Sequence, residues 1–151
     1  MKSGFTLIEL VVVVALLAVV AAVAIPTYQL LLSQAQLNSA TTQVADLMRL
    51  QEQKTVTEQK IYGLTIVAGA TTIPYFLCQD AGCSTKTIQY YTLPSNIVIS
   101  QESFSSNDVR FSTAGAPSSS GTVVLKDTAR SRQRNVDLRP SGAIQDSSPE
   151  Y

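Results

Sequence analysis

Residues 2–26 read KSGFTLIELVVVVALLAVVAAVAIP, and from Leu10 to Ile25 every side chain is apolar. This run decides the fold, because it needs an apolar environment along its whole length. Phe5 to Ile25 is 21 residues, about 31 Å as a helix, which matches the hydrocarbon thickness of a bilayer. A secretory signal peptide fits badly. The charged head is only MKSG, the run exceeds the usual apolar length, and the ATTQVA stretch downstream is polar and already helical in pattern. A soluble helix buried on all sides needs a larger protein than 151 residues. Membrane insertion is the expectation, and Lys2, the only early cation, favours an N-terminus inside and the remainder exported.

Glu9 interrupts this logic. An unpaired carboxylate costs about 3 kcal/mol at a bilayer centre and less near the edge. It either rests at the headgroup level or waits for a cation inside an assembly. If the chain is cut between Gly4 and Phe5, a new α-amino group lies about 6 Å along the helix from Glu9. In a stack of parallel helices, one subunit's amine would then neutralise its neighbour's Glu9 and fix the axial register.

These residues carry a resemblance. GFTLIELVVVVALLAVVAAVAIP resembles the class III signal and N-terminal helix of type IV pilins and type II secretion pseudopilins. Gly4 matches the residue before the leader cut, Phe5 the residue that is N-methylated, Glu9 the assembly glutamate and Pro26 the proline that kinks the helix. The resemblance implies a prepilin peptidase as processing partner and extraction from the inner (cytoplasmic) membrane into a helical filament of other pilin or pseudopilin subunits. The exported head would then lie in the periplasm or at the cell surface.

The rest of the chain divides by pattern. Residues 1–4 are the expected leader, 5–25 the transmembrane or filament-core half of a helix, 26–60 its amphipathic half and 61–151 a β-rich head. Leu30, Leu37, Ala40, Val44, Leu47 and Met48 recur at helical spacing and form one apolar stripe. Asp46 and Glu52 fall on the opposite, exposed face. From Ile61 the segments IYGLTIV, IPYFLC, KTIQYYTL, NIVIS, DVRFS, GTVVLKD and RNVDLRP are short, rich in β-branched and aromatic residues, and separated by turn formers. The expected class is α+β: one long helix, kinked or loosened at Pro26, packed on an antiparallel β head in the manner of a pilin lollipop.

Composition excludes more than it suggests. The chain has 11 basic and 11 acidic residues and no histidine, so no global field draws nucleic acid and the commonest general base is missing. No nucleophile elbow, phosphate loop or metal-ligand spacing occurs, so neither catalysis nor a cofactor is expected. Cys78 and Cys83 bracket the turn-prone QDAG. In an exported head a disulfide closing that loop is the expected state, worth about 2 kcal/mol in the chain-entropy model.

VRFSTAGAPSSSGTVVLKD and RNVDLRPSGAIQ resemble the head of GspH/FimT-type minor pseudopilins, with Phe111, Gly115, Gly121-Thr122, Val136 and Ser141-Gly142 as the matches. Gly121 and Gly142 fall where hairpins need permissive backbone. Some members of that family bind DNA through arginines in the final turn. Here Ala143 follows Gly142, so that arginine is missing. Lys126, Arg130, Arg132, Arg134 and Arg139 instead stand against Asp127 and Asp137. The patch reads first as a solvated or subunit-contact loop. The alternative is DNA capture for natural transformation through Arg130, Arg132, Arg134 and Arg139, by contacts to backbone phosphate. A structural subunit of a type IV pilus, competence pilus or type II secretion pseudopilus is the leading expectation.

Overall fold

The computed structural model describes residues 6–147. The chain divides into two units, Met1–Ala35 and Gln36–Tyr151. One helix, α1 (Leu7–Glu58), contributes to both.

In the first unit α1 is apolar on every face from Leu10 to Ile25, and residues 6–32 are all exposed. The helical assignment runs through Pro26 without a break. Proline has no N–H, so the carbonyl of Ala22 loses its usual donor. One residue on, the Thr27 hydroxyl donates to the carbonyl of Val23 at 3.0 Å.

In the second unit α1 is amphipathic. Leu37, Ala40, Thr41, Val44, Ala45, Met48, Gln51 and Thr55 are buried at three- and four-residue steps. Leu30, placed on this stripe by spacing, lies in the first unit and is exposed. Two threonines sit inside the stripe because each satisfies its hydroxyl within the helix. Thr41 donates to the Leu37 carbonyl at 2.7 Å and Thr55 to the Gln51 carbonyl at 2.8 Å.

The strands form two antiparallel sheets. The first has the order β3-β2-β1-β5, with β1 (Tyr62–Thr65), β2 (Thr72–Cys78), β3 (Lys86–Thr92) and β5 (Asp108–Phe111). The second has the order β4-β6-β7-β8, with β4 (Ile97–Glu102), β6 (Gly121–Asp127), β7 (Gln133–Leu138) and β8 (Ile144–Ser147). All seven segments expected from alternation are strands. The eighth, β8, carries one apolar residue in IQDS and has no alternation of its own; its pairing with β7, Leu138 opposite Ile144, defines it.

Alternating residues of both sheets meet the helix stripe in a single core that includes Leu64, Ile73, Ile97, Ile99, Val109, Phe111, Val123, Leu125 and Val136. Each fully buried branched or aromatic side chain contributes about 1.5–3 kcal/mol. Polar ties surround this core. Asn96 donates to Gln36 at 3.0 Å, Arg134 to Asn38 at 2.8 Å, and Arg49 to the Ile144 carbonyl at 3.0 Å.

Gly142 has φ of 85° in the β7–β8 turn, where a side chain would be strained. Gly121 needs to be glycine for another reason. Its φ is ordinary, but a Cβ there would stand 2.9 Å from the Phe104 ring and 3.0 Å from the Phe104 nitrogen. Close packing of Phe104 on the start of β6, rather than a hairpin requirement, fixes this position.

Candidate functional site

The N-terminal site is built on the first turn of α1. The Glu9 N–H faces the Thr6 hydroxyl oxygen at 3.4 Å, and the Leu10 N–H donates to the Thr6 carbonyl at 3.3 Å. Thr6-Leu7-Ile8-Glu9 therefore has the spacing of a capping box, with the hydroxyl on the third helical N–H and an acidic residue at that position. A carboxylate in the first turn also complements the helix dipole. Capping thus gives Glu9 a local role that the apolar context concealed, although the T-x-x-E spacing was there to be read. Gly4 and Phe5, the expected cleavage and methylation positions, lie outside the described residues.

The disulfide loop closes at the end of β2. Cys78 and Cys83 are bonded, with Cα atoms 4.7 Å apart. Asp80 organises the turn between them: its carboxylate accepts from the Ser84 N–H at 2.8 Å and the Thr85 N–H at 2.9 Å. Those backbone bonds hold its carboxyl below the usual carboxylate range. The bridge packs with Phe76 and Ile61 in a small second cluster.

Beside this cluster the Lys86 ammonium lies 4.3 Å from the centre of the Phe76 ring and pairs with Asp108. Asp108 also accepts from the Thr65 hydroxyl at 2.7 Å. Burial alone would raise the Asp108 carboxyl, but the Lys86 and Thr65 hydrogen bonds and the nearby Lys86 and Arg110 charges outweigh it, and the net direction is down. A folded value below the unfolded one, about 3.9, stabilises the fold above the unfolded value. That contribution disappears as pH falls through the folded value. Asp108→Asn should cost about 1 kcal/mol at neutral pH. It should also flatten the acid limb of a stability profile measured by denaturant titration below about pH 4.

The arginines do not share one loop. Arg130 lies in the β6–β7 turn, and Arg132 precedes β7. Both are half-buried. Arg134 is on β7 itself, with its guanidinium on Asn38. Arg139 is exposed in the β7–β8 turn, at the other end of the same hairpin, about 20 Å away by strand rise. Asp127, fully buried, accepts from the Ala129 N–H at 2.9 Å and shapes the turn that carries Arg130. Any phosphate contact made by the first two arginines is geometrically separate from one made by Arg139.

Glu52 also differs from its expected exposed position. A Cβ on Gly142 would come within 2.9 Å of its Oε1, and one on Gly115 within 3.5 Å. The β7–β8 turn and the turn after β5 thus meet on this side chain. Burial there pushes its carboxyl up. Among the described residues no three His, Cys, Asp or Glu side chains gather in a way that would hold a metal ion.

Residues 1–25 match the prokaryotic N-terminal methylation motif. The fold matches the minor pseudopilin EpsH from the type II secretion system of Vibrio cholerae, with a TM-score of 0.64 and 8% identity over 78% of this chain and 96% of that one. It also matches the type IV minor pilin FimU of Pseudomonas aeruginosa, with a TM-score of 0.57 and 10% identity over 74% of this chain and 88% of that one. The motif covers residues 1–25, and at this level of identity the structural likeness shows the fold alone. In sequence the chain is similar to a Pseudomonas aeruginosa fimbrial protein, 42% identical over 71 residues, which is 46% of this chain. The match spans 42% of that relative's length. The helix, with a mean hydropathy of 3.1 in its most apolar window, is long and apolar enough to cross a membrane.

Proposed function

We propose that the protein is a minor pilin or pseudopilin. A prepilin peptidase cuts it between Gly4 and Phe5 and methylates the new amine of Phe5. The chain then stays in the inner membrane with its second unit exported, and passes beside other subunits into a thin helical filament. That filament belongs to a type IV pilus, a competence pilus or a type II secretion pseudopilus. One observation carries the reading: a helix whose residues 6–32 are bare on every face, in the same chain as a unit with a complete core. So much apolar surface needs lipid before assembly and other helices afterwards. Pro26, which deprives the Ala22 carbonyl of its donor, is the point at which the helix would bend to fit such neighbours.

The test is the intact mass of the protein extracted from membranes of its own host. The expected result is a chain that lacks residues 1–4 and carries one added methyl group. A full-length, unmethylated chain would overturn the reading.

A further inference from the structure

The edge of a β-sheet presents a row of unpaired backbone N–H and C=O groups, and folded chains commonly cover it. Here β5, β4 and β8 are edge strands with cover. On β5, Ser118 donates its N–H to the Arg110 carbonyl at 2.7 Å, and its hydroxyl oxygen accepts the Arg110 N–H at 3.0 Å. On β4, the Ile99 N–H donates to the Ala70 carbonyl at 3.1 Å, and the Ile99 carbonyl accepts the Gly69 N–H at 2.7 Å. On β8, the Ile144 carbonyl accepts the Arg49 guanidinium at 3.0 Å. The remaining edge strand, β3, has no such cover among the described residues. It is also regular: Lys86–Thr92 contains no proline and pairs with β2 without a bulge.

The two ends of the β2–β3 ladder show which backbone groups face the open side. The Gln79 N–H donates to the Thr85 carbonyl at 2.9 Å, and the Leu93 N–H to the Thr71 carbonyl at 2.9 Å. Along an antiparallel strand these groups alternate between its two sides. Thr87, Gln89 and Tyr91 therefore bond to β2, whereas Lys86, Ile88, Tyr90 and Thr92 turn their N–H and C=O outward. The side chains of these four lie on the sheet face opposite Tyr91, which reaches Gln43 of α1. On that face Ile88 and Tyr90 are 47% and 68% exposed.

Reversed and laid against itself, this strand is its own complement. With Gln89 opposite Gln89, Lys86 faces Thr92 and Ile88 faces Tyr90, so every outward N–H meets an outward C=O. An aromatic opposite a β-branched residue is a favourable cross-strand pair, and no two like charges face each other. Neighbouring registers do worse. Centred on Tyr90, Lys86 would meet Pro94, which has no N–H. Centred on Ile88, Thr92 would meet Ser84, whose N–H is already held by Asp80 at 2.8 Å. We propose that β3 pairs antiparallel with β3 of a second copy of this chain, about a two-fold axis at Gln89. That axis is perpendicular to the sheet, so the α1 stretches packed on it run in opposite directions. The pair thus fits chains that approach from opposed directions rather than neighbours in one membrane.

One strand pair buries little area and associates weakly, so covalent trapping is the readout. At the two-fold axis the Gln89 positions form a non-hydrogen-bonded pair, with Cα atoms about 4.5 Å apart, within reach of a disulfide. Oxidised as the full chain in detergent micelles, Gln89→Cys should give a disulfide-linked dimer. Thr87→Cys is the control. It is also exposed, on the same strand, but stands opposite Tyr91. It lies about 13 Å along the strand from its own counterpart and should link at least about ten-fold more slowly. Ile88→Pro removes an outward N–H and none of the bonds to β2, so adding it to Gln89→Cys should abolish the dimer. Should that variant fail to fold, Tyr90→Lys carries the test: it sets a charge against Ile88 of the other copy at a position already exposed, and should slow linking several-fold. The pairing is overturned if Gln89→Cys stays monomeric or if Thr87→Cys links as fast. It is equally overturned if Ile88→Cys or Tyr90→Cys links faster than Gln89→Cys, or if neither added substitution slows the reaction.

Discussion

Glu9→Ala should enter the membrane in normal amounts and disappear from the filament. Membrane insertion depends on residues 10–25, all apolar, and removing a carboxylate only favours it. Incorporation is different. In a packed helical bundle a subunit amine that loses its carboxylate partner is left buried and unpaired, at a cost of about 3–5 kcal/mol. That is a loss in association of roughly a hundred-fold or more. The capping contact with Thr6 offers a competing explanation, and Glu9→Gln separates the two. Glutamine serves a capping box as well as glutamate does, so this variant keeps the local helix start and loses only the charge. Filament levels of Glu9→Gln equal to wild type, measured in sheared-filament fractions, would assign the residue to the cap and remove the charge-pairing role. Levels as low as those of Glu9→Ala would assign it to the charge.

Phe111→Ala should produce the largest stability loss of any single truncation in the second unit. The ring is fully buried, its residue lies opposite Tyr62 at the end of β5, and it bridges to Pro117 beyond the turn. It packs in the core that joins the helix stripe to both sheets. Truncation of a buried phenylalanine costs about 3–5 kcal/mol, as lost transfer energy plus the cavity left behind. Single domains have about 5–15 kcal/mol in total, so the denaturant midpoint should fall by about a fifth or more with little change in slope. Ile88→Ala is the control: the side chain is 47% exposed on β3, and its loss should stay within about 0.5 kcal/mol. If the two variants unfold at similar denaturant concentrations, the core has been misplaced.

The helix and seven strands were legible because each has a period of its own, 3.6 or 2 residues. Strand β8 was not, since IQDS owes its conformation to the register of β7 rather than to its own pattern. Spacing puts Leu30 on the buried stripe, because it specifies a face and not how far along the helix the cover extends. Glu52 looked exposed for the same reason. Its cover comes from turns at Gly115 and Gly142, more than 60 residues away in sequence. The four arginines read as one patch because they are close in sequence, whereas a hairpin places Arg139 at the opposite end from Arg130 and Arg132. The disulfide, closing a loop of adjacent residues, needed no tertiary information. Gln51 gave no signal, since glutamine on a helix is ordinary and only its burial makes it unusual.

Two of the ties between α1 and the second sheet have a consequence for the order of synthesis. Arg49 donates to the carbonyl of Ile144, 95 residues later, and Asn38 receives Arg134, 96 residues later. The apolar half of α1 is made first and is ready for the membrane long before those partners exist. The amphipathic half then waits for partners as late as residues 134 and 144. Contacts of such long sequence separation form late and slowly, so the second unit cannot close before residues 134–144 have been made. Until β7 and β8 are made, the uncovered apolar stripe of α1 is the surface most open to aggregation.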